Sequence, residues 1–372
     1  MTIAGKHWQV HQRKAETFMN KQIAIYGASL FGRALLKSFQ EKGTDIDFFV
    51  DEYTPYREFE GKPVYRIKEV KEKNKLTLIN STAYDLVESL KKAGFEEIIP
   101  LKEIIDQYPT SLVILNQIMW IVKSEQLIDE AEFAWLQTRL ADEHSRNLLH
   151  KLTSFRKNPV AENLFWSDGD PFYFPSGFDA FKGIDSLRFV DCGAYNGDTI
   201  QSVLKNFKRK IDWIIAMEPD PNNLAKLSEQ KFDRSQPEHR EAEIFVYPLG
   251  VYNCEKICSF QIEKEGASSF ISSEPQTSAF HIPVARLDTL LMHASPNFIK
   301  MDIEGAEPEA IDGAKNLIAA KKPNLALSIY HKAEHLWEIA RMVDSICPEY
   351  EFRLRLHGNF GRELTLYCFL PG

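Results

Sequence analysis

Short runs of aliphatic and β-branched residues alternate with amphipathic segments along most of this chain, the pattern of strands and helices taking turns in an α/β fold. The first series is QIAIYGASLFGRALLKSFQEKGTDIDFFVDEY. Ile23 to Tyr26 reads as a strand, Gly27 to Gly32 as a turn, Ala34 to Glu41 as a helix, and Ile46 to Val50 as a second strand ending in Asp51. GKPVY, a strand over 76–80, a helix over 84–93 and a strand over 97–101 continue the series, which closes near residue 105. The pattern predicts a small Rossmann-like α/β domain over 1–105. Its turn, from Gly27 through Ser29 to Gly32, approaches a dinucleotide fingerprint, with Asp51 in the place of a ribose-binding acid. Ser29, however, replaces the middle glycine that lets backbone approach a pyrophosphate. Nucleotide or nucleotide-sugar binding and plain helix–strand packing both stay open for this turn.

The pattern then turns helical. Asp129 to Leu152 carries apolar residues every three or four positions with charges between them, and reads as one amphipathic helix bridging two domains. The following NLFWSDGDPFYFPSGFDAF is dense in aromatics, Gly, Pro and Asp, and reads as a loop. Tyr173 and Phe174 in this loop are candidates to wall a pocket, with ordinary packing as the competing use. Residues 106–170 form the expected helical linker and aromatic loop, and 171–372 the second domain.

From Arg188 the alternation becomes regular. RFVDCGAYNGDT gives a strand ending in Asp191, a loop with Gly193 and Gly197, and a helix from Thr199. Its D-x-G-x-x-x-G spacing differs from the phosphate-binding fingerprint and suits a ligand with a cationic or hydroxyl-bearing portion. Trp213 to Met217 is a strand ending in Glu218, and a carboxylate there is placed to accept both hydroxyls of a ribose. A strand over 243–251, two hairpin pieces (257–264 and 281–287) and a polar loop between those pieces come next. FIKMDIEG is a strand closed by Asp302 and Glu304, and Ala306 to Ala320 reads as one helix. A strand over 325–330 runs into His331, a strand over 350–357 ends in His357, and 363–369 is the last. This makes seven main strands from residue 188, the final two expected to be antiparallel.

Composition narrows the classes. Hydrophobic residues make up 44% of the 372, enough for packed cores, and the net charge of −8 with a pI near 5.8 argues against a nucleic-acid binder. Five scattered cysteines suggest free thiols in a reducing compartment, and no zinc spacing is present. There is no apolar run of membrane-spanning length and no signal-peptide core, so a cytoplasmic location is the expectation.

Seven strands in this order are the layout of a class I methyltransferase. FVDCGAYNGDT, AMEPDPNN, ARLDTLL, FIKMDIEGAE, LALSIYHKAEHLWEI and FRLRLHGNFGRELTLY, in this order, resemble the FkbM family of S-adenosylmethionine-dependent methyltransferases, over roughly residues 165–372. The resemblance implies S-adenosylmethionine as cofactor and methyl transfer to a hydroxyl of a sugar, glycan or polyketide-like small molecule. It also implies that Asp191, Gly193, Tyr195 and Gly197 shape the methionine side of the pocket and that Glu218 binds the ribose. Tyr195 departs from the second loop glycine of many methyltransferases.

His331 is the first candidate for a general base, with Asp302 orienting it, and His357 is a second candidate. No metal is assigned, although Asp302, Glu304 and His331 as a hard-cation site are a competing use of the same groups. Two other functions compete: an NAD- or nucleotide-sugar enzyme centred on Gly27 to Gly32, and a non-catalytic binding or scaffold protein. The expected partner is a small molecule or glycan, with homo-oligomerisation left open.

Overall fold

A computed structural model describes residues 21–81, 86–100, 103–104, 129–157, 166–262, 269–272, 280–358 and 361–371. These fall into two compact units, one holding the described residues up to 104 and the other those from 129 onward. In the first unit, strands β1 (Gln22–Tyr26), β2 (Phe48–Val50), β3 (Glu58–Phe59), β4 (Lys62–Tyr65), β5 (Leu76–Asn80) and β6 (Glu97–Ile99) form one sheet in the order β3-β4-β2-β1-β5-β6. All neighbours pair in parallel except β3 with β4. Helices α1 (Leu30–Glu41) and α2 (Val87–Lys92) provide crossovers. Ala24, Phe48, Val50, Leu78 and Phe95 are among the side chains of a core on one face of the sheet. Residues 111–122, the longest apolar stretch of the chain, lie outside the described residues.

The segment read as one bridging helix is instead two, α3 (Glu130–Arg139) and α4 (Glu143–Lys157), both in the second unit. Tertiary contact breaks the helix: Leu140 bridges to Phe352, the Ala141 amide donates to the Phe352 carbonyl at 2.9 Å, and Asp142 accepts from the Ser145 amide at 2.7 Å. Asp142 thus caps a second helix, satisfying a donor that has no intrahelical partner.

The main sheet of this unit follows the expected alternation. It contains β7 (Ser186–Cys192), then, after α5 (Asp198–Asn206), β8 (Lys210–Met217), and after α6 (Pro221–Glu229), β9 (Glu243–Tyr247). The segment 243–251 is not one strand, because β10 (Gly250–Val251) leaves for a second sheet. There it joins β11 (Lys256–Ile262), β12 (Ser269–Ser272) and β13 (Phe280–Ala285) in the order β10-β13-β11-β12. The expected polar loop therefore contains a strand, β12, paired antiparallel with β11.

After α7 (Leu287–Leu291) the main sheet resumes with β14 (Phe298–Met301). Two helices follow where one was expected: α8 (Glu307–Asp312) and α9 (Lys315–Lys321). Gly313 separates them at a close approach, since a Cβ there would stand 2.0 Å from the Tyr252 carbonyl oxygen. Strand β15 (Asn324–Ser328), helix α10 (His335–Ile346), β16 (Glu351–Leu356) and β17 (Leu364–Phe369) complete the chain. The strand order is β16-β17-β15-β14-β7-β8-β9, with β17 antiparallel to both neighbours and the other pairs parallel. Met301 lies in register with both Cys192 and Leu327, and Cys192 with Met217. The carboxyl ends of β15, β14, β7 and β8 are thus aligned at one edge, where open α/β sheets bind ligands.

Candidate active site

The loop between β7 and α5 owes its path to two glycines. Gly193 has φ +83°, and a Cβ there would stand 2.0 Å from the Asp302 carbonyl oxygen. Gly197 has φ +88°, with Leu227 and Phe232 about to collide with any side chain. Lys300, on β14, donates to the Gly193 carbonyl at 2.6 Å and pairs with Asp191 at 2.9 Å. Burial raises the Asp191 pKa to about 6 against the pull of Lys300. Asp191 is wholly buried. It acts on the loop through Lys300.

Glu218 follows β8 and is itself buried. One carboxylate oxygen accepts from the Tyr195 amide and the other from the Asp220 amide, each at 2.8 Å. Burial raises its pKa, opposed by these two donors. A carboxylate has about four acceptor positions, so each oxygen keeps one for a ligand hydroxyl. Tyr195 adopts φ +48° and turns its ring outward, 47% exposed, with the Lys226 ammonium 5.4 Å from the ring centroid. The loop accommodates this departure from glycine by leaving the side chain in the open.

Beyond β14 the strand ends assemble a carboxylate cluster around one imidazole. His331 Nε2 lies 3.4 Å from both Asp302 and Glu304, and Nδ1 lies 2.9 Å from Glu307. Asp302 and His331 meet because β14 and β15 are neighbours, as their positions at strand ends predicted. Burial opposes a charge on His331, but the Glu307 carboxylate, with Asp302 and Glu304 beyond it, pushes its pKa up to about 10. The surrounding carboxylates thus favour the charged form of the ring.

Sequence reasoning missed Glu307, Tyr330 and Glu363. Glu307 is fully buried in the first turn of α8, accepts from the Ile303 amide at 2.9 Å, and is kept well below the usual carboxylate range by His331 despite its burial. Its only local signal is its position after the Gly305 turn. The Tyr330 hydroxyl lies 3.4 Å from Asp302 and 3.2 Å from Glu363, linking two acids far apart in sequence. Glu304 has φ +56° and Gly305 φ +99°, a tight turn that presents the acids between β14 and α8.

Other expected residues serve packing. Phe174 stacks on Phe181 at 4.9 Å. Tyr173 is buried, its ring 5.9 Å from the Lys300 ammonium. His357 stacks on Phe172, its Nε2 lies 2.8 Å from the Tyr367 hydroxyl, and burial lowers its pKa to about 4. Its ring is buried among these partners, which corrects its candidacy as a second base.

In the first unit Asp51 accepts from the amides of Ala28, Tyr53 and Thr54 at 2.7–2.9 Å. The acid expected to hold a ribose instead ties its own loops together. Gly32 is needed because a Cβ would stand 2.1 Å from the Gly27 carbonyl oxygen, and Ser29 at the helix N-cap makes no side-chain capping bond. These contacts favour the packing use of the turn.

The strand order and the strand-end site define the second unit as a class I methyltransferase fold. Residues 191–354 match the family model described as the Methyltransferase FkbM domain, a family that uses S-adenosylmethionine. The crystal structure of a methyltransferase FkbM from Methylobacillus flagellatus KT covers 97% of this chain and 93% of its own, with a TM-score of 0.53 and 22% identity. More distant are a precorrin-6y C5,15-methyltransferase from Geobacter metallireducens GS-15, with a TM-score of 0.30 and 11% identity over 52% of this chain and 84% of its own, and the SAH-bound Podospora anserina methyltransferase PaMTH1, with 0.27 and 9% over 75% and 100%. No curated protein matches the chain. Among the described residues no helix is long and apolar enough to cross a membrane.

Proposed function

We propose that the second unit transfers a methyl group from S-adenosylmethionine to a hydroxyl oxygen of a sugar, glycan or polyketide-like small molecule. The observation that carries this reading is the alignment of four strand ends, with Glu218 and the glycine loop on β8 and β7 and the Asp302–His331 cluster on β14 and β15. The bound donor supplies the chemistry, an in-line displacement that moves a methyl group from sulfur to oxygen. The chain's own residues position the reactants and manage one proton.

Glu218 has the free acceptor positions to bind both ribose hydroxyls. Gly193 and Gly197 give the loop the path that shapes the methionine side of the pocket, and Lys300 holds that backbone in place. On the acceptor side, the His331–Asp302 pair takes up the proton leaving the hydroxyl, with His331 as the candidate base, and Tyr330 flanks it as a positioning group.

Isothermal titration of the full chain with S-adenosylhomocysteine tests the donor half. Wild type is expected to bind, and Glu218→Ala to bind about 10- to 100-fold more weakly through loss of charge-assisted hydrogen bonds. Absence of binding by wild type, or equal binding by the variant, overturns the reading.

A further inference from the structure

We infer that Asp302, Glu307 and His331 form a site for one divalent cation on the acceptor side of the pocket. The inference rests on the methyl-transfer reading for its role, though not for its geometry. Each residue offers one ligand atom, and the three atoms lie within 4.8 Å of one another. Nitrogen and oxygen ligands sit about 2.0–2.6 Å from such ions, so a single ion can reach all three after small adjustments. Different elements deliver them: Asp302 closes β14, Glu307 opens α8 and His331 follows β15.

Acidic residues in company would not by themselves mark a site. The distinguishing observation is that both ring nitrogens of His331 and Glu307 Oε2 are buried outside hydrogen-bond geometry, with ion-pair neighbours only: His331 Nδ1 lies 2.9 Å from Glu307 Oε1, and His335 Nδ1 lies 3.4 Å from Glu307 Oε2. The His331 side chain is 9% exposed and that of Glu307 not at all. Buried polar atoms in this state are uncommon and point to a missing ligand. Glu304, 3.4 Å from His331 Nε2, stands at the open side of the cluster, and Glu363 adds a further acid across Tyr330. The nearby Lys300 is already engaged by Asp191. The cluster therefore has an excess of carboxylates.

One imidazole with two carboxylates suits first-row divalent ions such as Mn²⁺, Fe²⁺ or Zn²⁺ better than an all-oxygen cation. An ion here would lower the pKa of an acceptor hydroxyl bound to it, in the manner of a Lewis acid. The competing use of these groups with Glu304 as third ligand gives way to Glu307, whose oxygen is the buried one.

The test uses the full chain stripped with chelator, with Mn²⁺ as probe and electron paramagnetic resonance counting the free ion. One equivalent is expected to bind, and Asp302→Asn and Glu307→Gln each to weaken binding about tenfold or more at unchanged secondary structure by circular dichroism. Asp302→Asn, at a half-buried position, keeps the test valid where Glu307→Gln fails to fold. Mn²⁺ left free by wild type, or bound equally by Asp302→Asn, overturns the site. Titration with S-adenosylhomocysteine on the same samples separates the two readings. Mn²⁺ binding without S-adenosylhomocysteine binding supports the cation site and overturns methyl transfer. Binding of S-adenosylhomocysteine without Mn²⁺ overturns the cation site alone.

Discussion

Lys300 shows how one residue connects the core to the donor loop. Its side chain is 3% exposed, and its ammonium pairs with Asp191 at 2.9 Å and donates to the Gly193 carbonyl at 2.6 Å. Removing one member of a buried ion pair leaves the other charge uncompensated, which costs about 3–5 kcal/mol. Lys300→Met is accordingly expected to lose about that much stability in urea unfolding, and the double variant with Asp191→Asn to recover part of it. A loss under about 1 kcal/mol in Lys300→Met would show that the pair does not hold the loop. In the sequence Lys300 is one lysine within the FIKMDIEG strand. Its partner and its grip on Gly193 follow from β14 lying beside β7, with Lys300 opposite Asp191.

At the scale of elements, the β7–α5 loop and the β14–α8 turn are packed backbone to backbone. Gly193→Ala places a methyl group where the Asp302 carbonyl now lies and asks alanine to hold φ +83°. Both terms act in the same direction, so a loss of about 2 kcal/mol or more is expected, together with weaker S-adenosylhomocysteine binding. Thermal unfolding and calorimetry check this, and a variant that binds and melts like wild type would mean that the two loops are not coupled. Strand existence and sequence order were legible because β-branched runs and strand-end acids are local signals. The breaks at Leu140 and Gly313 were not, because each arises where the chain meets a distant backbone, Phe352 in one case and Tyr252 in the other.

For the molecule as a whole, His357 and Asp142 are two groups of the second unit whose contribution to stability is lost in acid. Burial holds the His357 pKa down at about 4, against about 6.5 when unfolded, so unfolding takes up a proton between those values and stability falls as pH drops from 6.5 to 4. Burial works against the charge on Asp142, yet Arg355, whose nitrogen lies 2.9 Å away, and Ser145 bring its pKa to about 2. Its contribution is present above pH 4 and is lost as pH falls toward 2. In urea unfolding followed across pH 7 to 3, His357→Phe is expected to lose less stability than wild type, or to gain more, between pH 6.5 and 4. An unchanged slope in that variant would remove His357 from the account. The sequence by itself determined an α/β chain whose strands end in Asp191, Glu218, Asp302 and His331, since hydrophobic periodicity and strand-end position are written in neighbouring residues. Only the tertiary structure decided which acids surround His331. Glu307 and Glu363 reach the cluster from a helix turn and from the β16–β17 connection, and no spacing along the chain encodes that meeting or its effect on the imidazole. The same holds for the loop with which the second domain's regular alternation begins: Gly193 and Gly197 were visible as glycines, and their necessity came from the carbonyl and side chains packed against them.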